Sequence, residues 1–241
     1  PVGLVVAELS SFQFERTVSL RPRVALLLNV TDDHLDRHGT LEAYAELKGR
    51  VFDGQGKGDF AIVPAGDALC EGLARRRRGR VLRFGTGGDA FLDGDDLVAR
   101  GPDGEEVRVP RSVLRIRGAH NEDNALAAML AARCVGLPAE AIREALSSFT
   151  GLPHRMQLVA EVGGVTYYDD SKATNVGAAL RAIEGLDRRA VLIAGGREKG
   201  GSYAPLREAI RARIKRIVLI GEARANLTAQ LGDVVPCDEA E

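Results

Sequence analysis

The stretch VALLLNVTDDHLDRH, Val24–His38, decides the fold: an apolar run over Val24–Val30 passes directly into a dense polar cluster, Thr31 to His38. An apolar run without alternation reads as a strand buried on both faces, the mark of a parallel sheet. A polar cluster at the carboxyl end of such a strand stands where open α/β sheets bind their ligands.

Further runs of the same kind lie at Leu4–Ala7, Asp59–Val63, Val191–Ala194 and Ile217–Ile220. Helical spacing separates them at Leu41–Phe52, Glu122–Val135, Ala139–Ser147, Asn175–Ile183 and Tyr203–Arg213. Strands alternating with helices predict an α/β protein with parallel sheets. Residues 81–113 differ: VLRF, DLVAR and EVRVP are short and broken by Gly-Gly, Asp-Gly and Pro-Asp-Gly, so a small antiparallel meander is expected there. A boundary is expected near Ser148–Pro153, dividing the chain into 1–149 and 150–241. Beyond it the strand, loop and helix order predicts a Rossmann-like domain.

The 241 residues are 45% apolar, enough for a buried core, and the 28% charged residues nearly cancel to a net charge of -1. Mixed signs argue against nucleic acid and against a membrane surface as partners. The basic run Arg75–Arg78 reads as a solvated helix end. Cys70, Cys134 and Cys237 are scattered and form no C-x-x-C pair, which suggests reduced thiols in a cytoplasmic protein. No apolar run approaches the ~18 residues of a membrane helix. Pro1 is no initiator methionine and VVPCDEAE breaks off as a strand begins, so both ends are expected to continue in a longer protein.

Glu8, at the end of LVVAE, is expected at the sheet's carboxyl edge, where a carboxylate can hold magnesium; capping the next turn is the plainer role. The G-x-x-x-x-G-K-[ST] phosphate loop that would accompany it does not occur in this sequence. His34 and its acidic neighbours suit a divalent cation or phosphate oxygens, while Thr31 and Asp32 suit a helix cap. Lys48 by itself is a snorkelling surface lysine. Asn121 and Asn124, three apart at a helix start, suit an adenine edge or a cap. His154-Arg155 follows Gly-Leu-Pro at the boundary, where Arg155 would reach phosphates or a surface carboxylate. Asp170, Lys172 and Thr174, between a strand and a helix, suit a ribose and anionic groups, while capping of the helix by Thr174 or Asn175 is the plainer role. Gly195–Gly201 is a basic glycine-rich loop able to cradle a carboxylate or phosphate through its backbone.

Taken in order and spacing, these segments resemble the Mur ligases: ELSSFQ at Glu8–Gln13, LNVTDDHLDRH at Leu28–His38, the lysine of AYAELKGRVF, GAHNEDNALAA at Gly118–Ala128, GLPHR at Gly151–Arg155 and DSKATN at Asp170–Asn175. ELSSFQ, GLPHR and DSKATN look like the branch that adds D-glutamate to UDP-N-acetylmuramoyl-L-alanine. The resemblance implies a central ATPase domain with a parallel sheet and small meander, then a Rossmann-like C-terminal domain. It further implies ATP-driven amide synthesis through an acyl phosphate, in the cytoplasm and by a monomer.

On the same resemblance, Glu8 holds one magnesium ion with Ser10 nearby in the substrate site, and His34 holds a second. Lys48 is implied to be carbamylated, which turns a cation into an anionic ligand for that second ion. Asn121 and Asn124 would meet adenine, Arg155 the phosphates with His154 beside it, and Asp170 the ribose. Lys172, Thr174 and Lys199 would face D-glutamate, Lys172 with a catalytic part. The phosphate loop, a uridine-binding domain and the rest of the D-glutamate pocket are expected outside this chain, so the polypeptide alone is expected to be inactive. A catalytically silent nucleotide-binding module and a sister ligase for another amino acid are the alternative readings.

Overall fold

The computed structural model describes residues 3–31, 33–116, 118–198 and 201–240. The chain divides into two compact units, Pro1–Phe149 and Thr150–Glu241.

The first unit runs α1 (Ser11–Phe14), β1 (Val24–Leu26), α2 (Leu35–His38), α3 (Leu41–Gly49), β2 (Phe60–Pro64), α4 (Ala68–Arg75), β3 (Arg80–Phe84), β4 (Ala90–Asp93), β5 (Asp96–Arg100), β6 (Glu106–Pro110), α5 (Ala119–Cys134) and α6 (Ala139–Ser148). Its six strands form one sheet in sequence order. β1, β2 and β3 are parallel, β4 joins at the single pair Phe84/Ala90, and β4 to β6 are antiparallel. The predicted meander is therefore present, its first hairpin closing on the Gly94-Asp95 turn with Gly94 at φ 60°.

Side-chain alternation along β2 divides the core. Ile62 faces a layer made by Leu126, Met129 and Leu130 of α5 with Leu97 and Val107 of the meander. Ala61 and Val63 face the opposite layer, with Ala45 of α3, Phe52, and Cys70, Leu73 and Ala74 of α4. Each fully buried large side chain contributes about 1.5–3 kcal/mol of transfer free energy. Thr40 and Asp67 start α3 and α4 by accepting the Ala43 and Cys70 amides at 3.2 and 2.9 Å.

Two strand expectations fail here. Leu4–Ala7 is irregular and open, with Val5 78% and Val6 89% exposed. No strand among the described residues pairs with it, and an extended segment without a ladder leaves its backbone to water. Glu8 consequently does not stand at the carboxyl edge of a strand. The VALLLNV strand also ends early, at Leu26. Leu27 still donates to Ile62 at 3.0 Å, but β2 closes at Pro64, which has no N–H to extend the ladder.

The second unit comprises β7 (Gln157–Val162), β8 (Val165–Asp169), α7 (Val176–Glu184), β9 (Ala190–Gly196), α8 (Arg207–Arg213), β10 (Ile214–Gly221), α9 (Arg224–Leu231) and β11 (Cys237–Glu239). β9, β10 and β11 form a parallel sheet with β10 central. Ile183, Ile210, Ile214, Ile217, Leu219, Leu227 and Leu231 supply its core. β7 and β8 make a separate antiparallel hairpin around Gly163-Gly164 rather than joining that sheet. Asp170 and Lys172 thus follow a hairpin strand, not a strand of the parallel sheet.

Candidate functional site

In the first unit, the residues around His34 and Lys48 are joined by a chain of rings. Ser10 caps α1: its Oγ accepts the Gln13 amide at 3.4 Å while Gln13 Oε1 accepts the Ser10 amide at 2.8 Å. This capping box fixes the entry of α1 and presents Ser11 and Phe12. Phe12 lies edge-on to His34, with ring centroids 5.1 Å apart, and 5.5 Å from the ring of His38. His38 stacks on Tyr44 at 5.3 Å, and Lys48 Nζ stands 5.3 Å above the Tyr44 ring. Tyr44 and Lys48 share a face of α3 because they are four residues apart.

His34 has a left-handed backbone, φ 52°, and its amide donates to Asp33 Oδ1 at 3.0 Å. Its imidazole is 42% exposed, with Nε2 3.8 Å from Asp33 Oδ2. A non-glycine residue in that region carries roughly 1–2 kcal/mol of strain, a cost met here by the local carboxylate bond. Glu8 is exposed. Among the described residues, no group of three or more His, Cys, Asp or Glu side chains is placed to hold a metal ion. Asp32, the acidic member of the cluster expected to cap, lies outside the described residues.

Sequence reasoning passed over His38 and Ser11. The His38 side chain is only 5% exposed, and its Nε2 shares a hydrogen bond of 3.1 Å with Ser11 Oγ. Nothing local signals that bond, because its partners are 27 residues apart.

At the start of α5, Gly118 adopts φ 100° and supplies no side-chain cap. Asn121 and Asn124 come together on the first turn, with Asn124 Nδ2 donating to Asn121 Oδ1 at 3.5 Å. Glu122 is paired with Arg111 at 2.7 Å, which ties the helix start to the turn after β6.

In the second unit, the segments around His154 and Asp170 are interlocked. His154 Nδ1 is 2.7 Å from Asp169 Oδ2, and the His154 carbonyl accepts the Lys172 amide at 3.1 Å. The Met156 amide donates to Asp170 Oδ1 at 3.0 Å. His154 and Met156 both have positive φ, 63° and 44°, which folds this loop back on the hairpin. The imidazole hydrogen bond and the Ser171 amide lower the Asp169 carboxyl pKa to about 2. Arg155 and Lys172 remain exposed. Asn175 caps α7, accepting the Ala178 amide at 2.8 Å, while the Thr174 amide donates to the Lys172 carbonyl at 2.9 Å. Asp169 escaped notice in the sequence because its neighbour Asp170 drew the assignment.

The glycine-rich loop is partly something else. Gly195 and Gly196 lie inside β9, in register with Ile220 and Gly221. A Cβ on Gly195 would stand 1.9 Å from the Ile220 carbonyl oxygen, so this glycine permits close approach of two strand ends. Lys199 lies outside the described residues, as does Gly200.

Residues 2–132 match the Mur ligase middle domain and residues 154–240 the Mur ligase, glutamate ligase domain. A protein of Geotalea daltonii named UDP-N-acetylmuramoylalanine--D-glutamate ligase is 40% identical over 242 residues, covering 99% of this chain and 53% of that protein. Among solved structures, MurF from Acinetobacter baumannii has the same fold with a TM-score of 0.71 at 22% identity, covering 91% of this chain and 51% of that one. MurF ligase from Thermotoga maritima in complex with ADP gives a TM-score of 0.67 at 20% identity, covering 91% and 53%. The chain spans about half the length of the curated relatives it matches.

Proposed function

This chain belongs to the Mur ligase family, and from that premise we propose that its protein joins D-glutamate to UDP-N-acetylmuramoyl-L-alanine at the expense of ATP, in building the cell wall. The observation that carries the reading is the knitting of His154–Met156 to Asp169–Lys172, which holds one carboxylate and presents two exposed cations on adjoining loops. Such a pair of loops suits a ligand with a ribose, phosphates or carboxylates.

The reaction runs in two steps. An oxygen of the alanyl carboxylate attacks the γ-phosphorus of ATP and ADP leaves. The amine of D-glutamate then attacks the acyl phosphate carbon to give a tetrahedral intermediate; the nitrogen loses a proton, and the bond from that carbon to the phosphate oxygen breaks, its electron pair leaving with inorganic phosphate. Both steps depend on positioning and on neutralising charge. Asn121 and Asn124 orient adenine, Asp170 holds ribose, and Arg155 meets phosphate oxygens with His154 beside it. Lys172, Thr174 and Lys199 receive D-glutamate, and Ser10 binds substrate near Glu8.

The donor set fits magnesium only as open sites with few protein ligands, completed by phosphate oxygens and water, which is how magnesium is commonly held beside nucleotides. Glu8 would serve one ion; His34 and Lys48 would serve the other. Lys48 as an ammonium has no lone pair to offer, so its part requires carbamylation. Magnesium there would neutralise charge on the transferring phosphoryl group. The three free thiols are in keeping with a cytoplasmic site.

The test is ADP release by the full-length gene product, with UDP-N-acetylmuramoyl-L-alanine and each amino acid in turn. Release that requires D-glutamate is the expected result. Release with a different amino acid would mark a sister ligase, and nucleotide binding without turnover would mark a silent module.

A further inference from the structure

We propose that His38 is a positioning residue for the second-magnesium pair, His34 and Lys48, acting through Phe12 on one side and Tyr44 on the other. The inference rests on the functional reading above and extends it to a residue that touches neither substrate nor metal.

His38 occupies the point where α1, α2 and α3 meet. Burying an imidazole is costly unless its nitrogens find partners. Nε2 finds Ser11 Oγ at 3.1 Å, and Ser11 is itself buried at the start of α1. On the other side of the ring, Nδ1 looks toward Glu15 Oε1 at 4.0 Å. Glu15 is already engaged by Arg37, whose Nη2 lies 2.7 Å from Oε2. The Ser11 hydrogen bond anchors one edge of the imidazole, and two aromatic rings pack against it.

Tyr44 stacks on His38 with an interplanar angle of 27°, and the opposite end of this contact chain is Lys48. Phe12 packs at 46° against His38 and at 70° against His34. His34 needs such support: it is 42% exposed and held in a left-handed backbone. The Phe12 edge and the Asp33 carboxylate restrict where its ring can go. One buried side chain therefore links two exposed or half-exposed ones, His34 in the turn before α2 and Lys48 on α3.

Three variants of the full-length protein test this: His38→Ala, His38→Phe and Ser11→Ala. Divalent-cation affinity is read without turnover, by manganese titration in the presence of ADP, beside kcat, KM for ATP and the unfolding midpoint. Loss of a group that orients metal ligands costs about ten- to a hundredfold in affinity. His38→Ala is expected to weaken manganese by that amount and lower kcat, with KM for ATP little changed. His38→Phe keeps the stack and is expected to recover most of the loss, while Ser11→Ala, which removes one hydrogen bond and little volume, falls between.

Wild-type manganese affinity in both His38→Ala and Ser11→Ala would overturn the proposal. So would a metal defect in His38→Phe as deep as in His38→Ala, since the stack would then contribute nothing. Wild-type protein that shows no D-glutamate-dependent ADP release sinks the functional reading and this inference together; an active wild type with indifferent variants sinks this inference alone.

Discussion

His154 Nδ1 lies 2.7 Å from Asp169 Oδ2, and this contact closes a loop whose backbone is left-handed at both His154 and Met156. Asp169 also accepts the Ser171 amide at 2.9 Å, so one carboxylate orders the residues before and after it. Its pKa falls from the ordinary 3.8 to about 2, chiefly through the His154 bond. A carboxyl that binds its proton less readily folded than unfolded adds stability above the unfolded value and loses it as pH falls through the folded one. Asp169→Asn is therefore expected to unfold at a lower temperature than wild type at neutral pH, with the gap closing between 3.8 and about 2. Thermal melts across that range check it. A gap that persists at full size to the acid end would show that the charge is not what stabilises the loop.

Gly195 belongs to the packing of β9 on β10. Alanine there places Cβ 1.9 Å from Ile220 O in a backbone at φ 145°. Relief requires the ends of the two strands to part, at a cost of at least about 2 kcal/mol. Urea unfolding of Gly195→Ala measures it. A loss below about 0.5 kcal/mol, the usual range of a neutral surface change, would contradict the close approach.

The parts of this fold that were legible in the sequence are those decided by local pattern. β2, β9 and β10 are short apolar runs bounded by turns, and the meander is marked by its Asp-Gly and Gly-Gly pairs. Leu4–Ala7 has the same apolar composition and forms no strand, because a strand is a relation to a partner that composition cannot supply. The site divides in the same way. Asn121 and Asn124 are three apart on one helix, and their proximity follows from helical geometry alone. Ser11 meets His38 across 27 residues, and Asp169 meets His154 across 15; only the folded chain brings those together.

Asn175 closes the DSKATN segment as a helix cap, which gives a way to tell structural from ligand-facing members of that run. Its Oδ1 accepts the Ala178 amide at 2.8 Å. Asn175→Ala is expected to cost about 1 kcal/mol of stability, and Asn175→Asp, which retains the acceptor, much less. Lys172, exposed and engaged in the fold through its backbone amide, is expected to behave in the opposite sense. Lys172→Met should leave the unfolding midpoint within experimental error and raise KM for D-glutamate by about tenfold or more, the value of one charge-assisted hydrogen bond. Equal KM values in wild type and Lys172→Met would remove this lysine from the D-glutamate site.

The three thiols differ enough in burial to report on the two units separately. Cys70 and Cys134 are buried in the first unit, and burial pushes both thiols up to about 12, with Asp67 adding to the effect at Cys70. Cys237 opens β11 in the second unit and is partly exposed, though burial raises its pKa as well. Alkylation proceeds through the thiolate, so at about pH 8 the buried pair is protected twice, by access and by protonation. Brief iodoacetamide treatment followed by peptide mass mapping is expected to label Cys237 first, with Cys70 and Cys134 modified only once denaturant opens the first unit. Because Cys70 packs with Ala45 of α3, on the helix that bears Lys48, early labelling of Cys70 in native protein would mean that the α3–α4 layer opens readily. The ring chain from His34 to Lys48 could not then be held as described.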